Sequence, residues 1–151
     1  MTRSFFVTGS GTDIGKTYVT AAMIRGLRAR GLRVDAIKPV LSGFDPAHPE
    51  ASDTGVLAQA LGRDLSPELI QLMTPWRYRA PLSPDMAAAH EGTVIPVDQV
   101  IGYARGAAMA SAADVFFAEG AGGVIVPLDA RRTIRDLIAA LGWPVVLIGG
   151  T

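Results

Sequence analysis

A layered α/β fold around a mostly parallel central sheet is predicted by three features of this sequence. Short apolar runs at 4–8, 34–37, 115–118 and 145–148 have the length and composition of buried strands. Helical patterns lie between them, which is the kind of crossover that parallel pairing needs. A glycine-rich turn at 8–17 leads from the first apolar run straight into the first helical pattern.

Residues 4–8 read as a strand ended by glycines, and 15–30 as a helix. Val19, Met23, Gly26 and Leu27 fall on one face of that helix, with Arg25 and Arg28 on the polar side. Gly31 closes it. Leu32 to Lys38 forms the second strand, with Val34, Ala36 and Ile37 as its core, and Pro39 ends it. Residues 42–52 are a loop of turn formers. Ser52 caps a helix from Asp53 to Leu61, with Gly62 as its stop. A short helix is expected at 66–73 and another at 84–90. Trp76 to Pro84 reads as irregular, with Trp76, Arg77, Tyr78 and Arg79 either packing or lining a rim. Residues 97–112 are helical, with Val97, Val100, Ile101, Ala104 and Ala108 as the apolar stripe. Val115-Phe116-Phe117-Ala118 is a buried strand, Thr133 caps a helix over 134–141, and Val145-Val146-Leu147-Ile148 is the last strand. Neither a repeat nor a linker divides the chain, so 1–151 reads as one domain.

The turn at 8–17, Thr-Gly-Ser-Gly-Thr-Asp-Ile-Gly-Lys-Thr, has the chemistry of a phosphate cradle. Backbone N–H groups of such a loop and the helix N-terminus face an anion. Lys16 reaches toward β- and γ-phosphates, and the Thr17 hydroxyl is placed to bind Mg²⁺. The spacing is irregular for a P-loop: Ser10 stands where the first glycine is expected, and Gly9 comes one residue early. Of 14 basic residues, only Lys16 and Lys38 are lysine. A compact ammonium fits where a planar guanidinium does not, and Lys38 ends the second strand on the same rim as the P-loop. Ligands of open parallel sheets bind beyond that carboxyl edge. Glu119 sits at the tip of a buried strand, just before Gly120-Ala121-Gly122-Gly123. A carboxylate there needs a cation to offset burial, and it lies where Mg²⁺ beside a P-loop is held. Asp53, taken alone, has the ordinary reading of an acid that compensates a helix dipole. His48 and His90 read as solvated, and Met23, Met73, Met86 and Met109 as core or filler.

Composition excludes several function classes. Net charge is zero, from 14 basic and 14 acidic residues, so nothing favours nucleic acid or an anionic membrane. Absence of cysteine excludes disulfides and thiolate metal sites. No apolar run approaches the roughly 18 residues of a membrane span, and the first residues do not form a signal peptide. A soluble cytoplasmic protein is expected.

Five segments together resemble the dethiobiotin synthetase family: the 8–17 loop, Lys-Pro-Val-Leu-Ser-Gly at 38–43, Ser-Asp at 52–53, Pro-Leu-Ser-Pro at 81–84, and Glu-Gly-Ala-Gly-Gly at 119–123. The family's own loop carries the longer spacing found here between Gly9 and Gly15. The resemblance implies a three-layer P-loop NTPase fold and an ATP- and Mg²⁺-dependent ligase acting on 7,8-diaminopelargonate and CO₂, working as a homodimer. It assigns the ATP phosphates to Asp13, Ile14, Gly15, Lys16, Thr17 and Tyr18. It gives Mg²⁺ to Thr17, Asp53 and Glu119, and the nucleotide site also to Glu119, Gly120, Ala121 and Gly122. Lys38 corresponds to the family's active-site lysine, and Ser42 to a contact with the diamine.

Family members continue past the position of Thr151 with a loop and helix whose Asn-His pair helps recognise the base, followed by a further strand and helix. The resemblance therefore implies that this C-terminal part of the family fold lies outside the present sequence. Two other readings share the motifs. One is a related P-loop amidoligase with another acceptor. The other is a nucleotide-switched partition or positioning ATPase, whose signature lysine early in the P-loop is missing from Gly9 to Thr12.

Overall fold

The computed structural model describes residues 1–11 and 15–150. Strand β1 (Arg3–Gly9) leads through the glycine loop into helix α1 (Lys16–Ala29). Next come β2 (Val34–Ile37), β3 (Val40–Leu41), a 3-10 turn at Pro49–Ala51, and α2 (Asp53–Ala60). Helix α3 (Pro67–Met73), β4 (Trp76–Arg77), α4 (Pro84–His90) and α5 (Val97–Ala110) precede β5 (Val115–Glu119). Helix α6 (Ile134–Leu141) and β6 (Val145–Ile148) complete the described elements.

Four strands form one sheet in the order β2-β5-β1-β6, and every pairing in it is parallel. Side chains alternate between its two faces, as the pleat requires. Phe6, Ile37, Phe116 and Ala118 pack with α4, α5 and α6 on one face. Val7, Val34, Ala36, Val115 and Phe117 pack with α1, α2 and Met73 on the other. The result is the expected three layers. Among the described residues, no helix is long and apolar enough to cross a membrane.

The crossover from β1 to β2 skips a position, and β5 fills the gap. The reason is visible in the side chains. All five β5 residues are buried, which suits a central strand. Strand β2 carries Asp35, whose carboxylate meets Arg63 at 3.1 Å, so it belongs at an edge. Because β2, β5 and β1 are adjacent, their carboxyl ends meet on one rim. Register sharpens this: Val7 lies opposite Glu119, and Ile37 opposite Ala118, so Lys38 arrives level with Glu119.

Helix α1 differs from the expected stripe. Thr20, Ala21 and Ile24 are its buried apolar-side residues, Met23 and Leu27 flank them, and Gly26 is exposed. Its end is a Schellman turn: Gly31 has φ of 83°, its N–H donates to the Arg28 carbonyl, and the Leu32 N–H donates to that of Leu27. Ser52 caps α2, its Oγ accepting from the Gly55 N–H at 3.1 Å. At the start of α6 the Asp136 carboxylate accepts from the Thr133 N–H at 2.8 Å, half of a capping box.

The stretch from Trp76 is more ordered than expected. Trp76 and Arg77 pair in parallel with Val40 and Leu41. Trp76 meets Tyr103 edge-on at 5.7 Å, Tyr78 is buried, and the Arg77 guanidinium lies 5.7 Å from the Phe44 ring centroid. These side chains pack; they do not line the rim.

Candidate active site at the carboxyl edge

The rim begins with two glycine loops that cross each other. A Cβ on Gly123 would lie 3.2 Å from the Gly11 Cα, and the Val124 N–H donates to the Gly9 carbonyl at 3.1 Å. A Cβ on Gly120 would meet the Phe6 ring at 3.0 Å. Glycine at both positions lets backbone pass against backbone and against the core. The loop at 119–123 is thereby held over the start of α1, where Lys16 Nζ donates to the Gly122 carbonyl at 3.1 Å.

Beneath this crossing lies a compact charged cluster. Lys38 Nζ donates to Asp53 Oδ2, Glu119 Oε1 and the Gly120 carbonyl, each at 2.9 Å. All three protons of the ammonium are thereby used. Thr17 Oγ1 donates to the same Glu119 Oε1 at 2.5 Å. The Lys38 and Glu119 side chains are essentially inaccessible to solvent, whereas Asp53 is 41% exposed. Asp53 therefore forms the open side of the cluster, and Glu119 its floor.

The two ionisations are tied together. Burial alone would push the Lys38 ammonium down, but Glu119 and Asp53 hold it above the ordinary lysine value of 10.5. Burial would likewise raise the Asp53 carboxyl, yet Lys38, the Thr17 hydroxyl and Lys16 hold it below 3.8. The sign for stability follows. A raised lysine stabilises the fold below its unfolded value and stops doing so as pH rises through the folded one. A depressed aspartate stabilises above its unfolded value and stops as pH falls through the folded one. The stability difference between wild type and Lys38→Met should therefore stay flat between about pH 5 and about pH 9 in urea unfolding. A difference that shrinks steadily from pH 7 to 9 would contradict this pairing.

One oxygen in this cluster has no partner among the described residues. Glu119 Oε2 is buried without a hydrogen bond among the described residues, as is Thr8 Oγ1. An ionised oxygen that is buried and unbonded is costly. With the Thr17 hydroxyl and the half-exposed Asp53 beside it, it makes a donor set suited to a hard cation. No group of three or more His, Cys, Asp or Glu able to hold a metal exists among the described residues. Two carboxylates and a hydroxyl match Mg²⁺, which is held by one or two carboxylates together with substrate phosphates and water.

A cavity of about 360 Å³ opens over the cluster, lined by Lys16, Thr17, Lys38, Ser42, Asp53 and Gly122 among others. Gly15, Tyr18 and Ala121 also line it. A second cavity, of about 370 Å³, shares Ser42, Gly43 and Gly122 and extends to Pro81-Leu82-Ser83-Pro84. The structure thus brings Lys16, Thr17, Lys38, Ser42, Asp53 and the 119–122 loop into one place. Asp13 and Ile14, also expected at the phosphates, lie outside the described residues. His48 faces Glu50 at 3.5 Å and His90 ends α4 at the surface, both away from the cavity linings.

A P-loop family model described as an AAA domain matches residues 3–151. The ATP-dependent dethiobiotin synthetase of Acidiphilium cryptum is 48% identical over 147 residues, covering 97% of this chain and 66% of that one. That of Caulobacter vibrioides is 47% identical over 149 residues, covering 99% of this chain and 67% of the relative. The chain belongs to the ATP-dependent dethiobiotin synthetase family. The synthetase of Methylobacterium nodulans is 45% identical over 152 residues and is covered to 68%. The chain spans about two thirds of the length of these dethiobiotin synthetases. Its three-layer parallel sheet is the P-loop NTPase fold expected of the family.

Sequence reading passed over two buried residues next to this site. Thr54 and Thr74 are fully buried and share a hydroxyl–hydroxyl hydrogen bond of 2.5 Å directly behind Asp53. No local pattern marks them, because the contact spans 20 residues of sequence and depends on how α2 meets the end of α3.

Proposed function

We propose that this chain carries the phosphate and metal half of an ATP-dependent dethiobiotin synthetase site, closing a cyclic urea on 7,8-diaminopelargonate with CO₂. The observation that carries the reading is the Lys38 ammonium, seated at 2.9 Å from both Asp53 and Glu119 on the wall of a cavity shared with Lys16, Thr17 and Ser42. A second buried lysine, carried outside the P-loop on the wall of the same cavity, suits a site that brings two anions together.

One amine of the diamine takes up CO₂ and loses a proton, giving a carbamate. A carbamate oxygen attacks the γ-phosphorus, the bond to the β-γ bridging oxygen breaks, and ADP leaves. The second amine then attacks the carbonyl carbon of the mixed anhydride. Phosphate departs with the carbon–oxygen bond electrons, the amine loses its proton, and the ring is closed.

In this reading Lys16 and the loop around Gly15 bind the triphosphate, and Tyr18, Gly120, Ala121 and Gly122 border it. Ser42 holds the diamine end of the cavity. Thr17, Asp53 and Glu119 hold Mg²⁺, which when bound supplies positive charge to the phosphoryl oxygens. Lys38 screens the repulsion between carbamate and γ-phosphate as they approach. It acts as a fixed cation, since an ammonium between anions keeps its proton. Phosphoryl transfer needs such positioning and charge more than covalent help. A homodimer located in the cytoplasm is part of the same reading.

The test is phosphate release from Mg·ATP with bicarbonate, with and without 7,8-diaminopelargonate. The proposal expects release to depend on the diamine and to be matched by dethiobiotin. Release at the same rate without diamine would favour a simple ATPase, and release with a different diamine would favour a related amidoligase.

A further inference from the structure

The two groups on which this reading rests come from different segments. Asp53 opens α2, and Lys38 follows β2. Their direct link is the ion pair itself, and that link must loosen if Asp53 turns to a metal and Lys38 to substrate. Something else has to hold their backbones at a fixed spacing.

The Thr54–Thr74 pair stands in that position. Thr54 is the residue after Asp53, in the first turn of α2. Thr74 is the residue after Met73, and the Met73 carbonyl accepts the Lys38 N–H at 3.0 Å. The hydroxyls of Thr54 and Thr74 meet at 2.5 Å, and neither residue is accessible to solvent. Thr74 is itself fixed through its backbone. Its N–H donates to the Ile70 carbonyl at 2.7 Å, and its carbonyl accepts from Arg77 Nη1 at 2.9 Å. The start of α2 has no slack on its other side either. A Cβ on Gly55 would lie 2.6 Å from the carbonyl oxygens of Pro49 and Glu50. The Asp53 turn is thus pressed against the 3-10 turn on one side and bonded on the other to the end of α3, whose Met73 carbonyl in turn holds the Lys38 N–H.

We propose that Thr54 and Thr74 are positioning residues, whose mutual hydrogen bond sets the spacing of Asp53 and Lys38 independently of the ion pair. The inference rests on the roles given to Asp53 and Lys38 above. A hydrogen bond between two short, β-branched side chains in a dry interior has few alternative geometries. Replacing one partner strands the other hydroxyl, which costs stability. Replacing both by valine keeps the shape and removes the stranded group, so stability returns, but the directional link does not.

The experiment compares Thr54→Val, Thr74→Val, the double variant and Thr54→Ser in the full chain. Three quantities are read: melting temperature, kcat against KM for ATP, and Mn²⁺ affinity of the complex with a non-hydrolysable ATP analogue by electron paramagnetic resonance. The single valine variants should melt lower, and the double variant should melt close to wild type. In the double variant kcat and Mn²⁺ affinity should each remain about tenfold down, the size typical of losing a partner behind a metal ligand. KM for ATP should change less than about twofold, because the P-loop is untouched. Thr54→Ser should restore both. The Thr74→Val single variant carries the same kcat and Mn²⁺ expectations, so the test does not depend on the double variant folding. Wild-type kcat and Mn²⁺ affinity in the valine variants would overturn the proposal, as would a Thr54→Ser variant no better than Thr54→Val. If wild-type protein showed no diamine-dependent turnover, the ligase reading would fall, and the Mn²⁺ affinities would still decide the role of the pair.

Discussion

Replacing Lys38 by alanine should lower kcat by about 10²–10³-fold, the range seen when one preorganised charge-stabilising donor is removed. ATP affinity should change by less than about threefold. The split follows from position. Lys38 is buried and spends its three protons on Asp53, Glu119 and the Gly120 carbonyl, while the triphosphate loop has its own lysine in Lys16. In the proposed mechanism Lys38 therefore contributes where negative charge converges, not where ATP first docks. The variant also leaves a buried carboxylate without its cation, which costs roughly 3–5 kcal/mol when one partner of such a pair is removed. Lys38→Met keeps most of the apolar stem and separates packing from charge. Both variants should lose turnover alike, and the methionine should recover part of the packing. Steady-state kinetics with equilibrium nucleotide binding checks this. Equal losses of turnover and ATP binding would remove Lys38 from its role as a clamp.

Glu119→Ala should be still more damaging, by about 10³-fold in kcat. One carboxylate serves three purposes here. Its Oε1 accepts from both Thr17 and Lys38, and its Oε2 is a buried oxygen with no partner among the described residues. Alanine removes the proposed cation donor, frees the Thr17 hydroxyl and leaves Lys38 with Asp53 and one carbonyl. Turnover should then require much higher Mg²⁺, because Thr17 and Asp53 are the donors left. Glu119→Gln keeps the shape and loses the charge, so it should fall between alanine and wild type. A titration of turnover against Mg²⁺ decides the point. An unchanged Mg²⁺ requirement in Glu119→Ala would mean that the carboxylate serves only to pair with Lys38.

Much of this site was legible in the chain because its parts are local. The glycine turn before α1, the proline after Lys38, the capped start of α2 at Ser52 and the acid before Gly120 each follow from backbone chemistry within a few residues. Placement on one rim follows from parallel strands sharing a carboxyl edge. Non-local pairing was less legible. That β5 sits between β1 and β2 depends on comparing how buried each strand can be, a difference carried by Asp35 in β2, which pairs with Arg63 at the edge. The small pairing of Val40-Leu41 with Trp76-Arg77 has no alternation to announce it, since each partner is two residues long. Asp53 is the instructive case. Its sequence context fits dipole compensation, and it does open a helix, yet its carboxylate also reaches Lys38 at 2.9 Å. Helix start signals say where a backbone turns and leave open what the side chain meets.

The central proposed step is attack on the γ-phosphate by a carbamate oxygen rather than by water. Bicarbonate labelled with ¹⁸O, added in unlabelled water with Mg·ATP and 7,8-diaminopelargonate under single-turnover conditions, tests that most directly. When the second amine breaks the carbon–oxygen bond of the mixed anhydride, the oxygen that came from CO₂ leaves on the phosphate. Phosphate carrying one ¹⁸O is the predicted result, and unlabelled phosphate formed alongside dethiobiotin would contradict it.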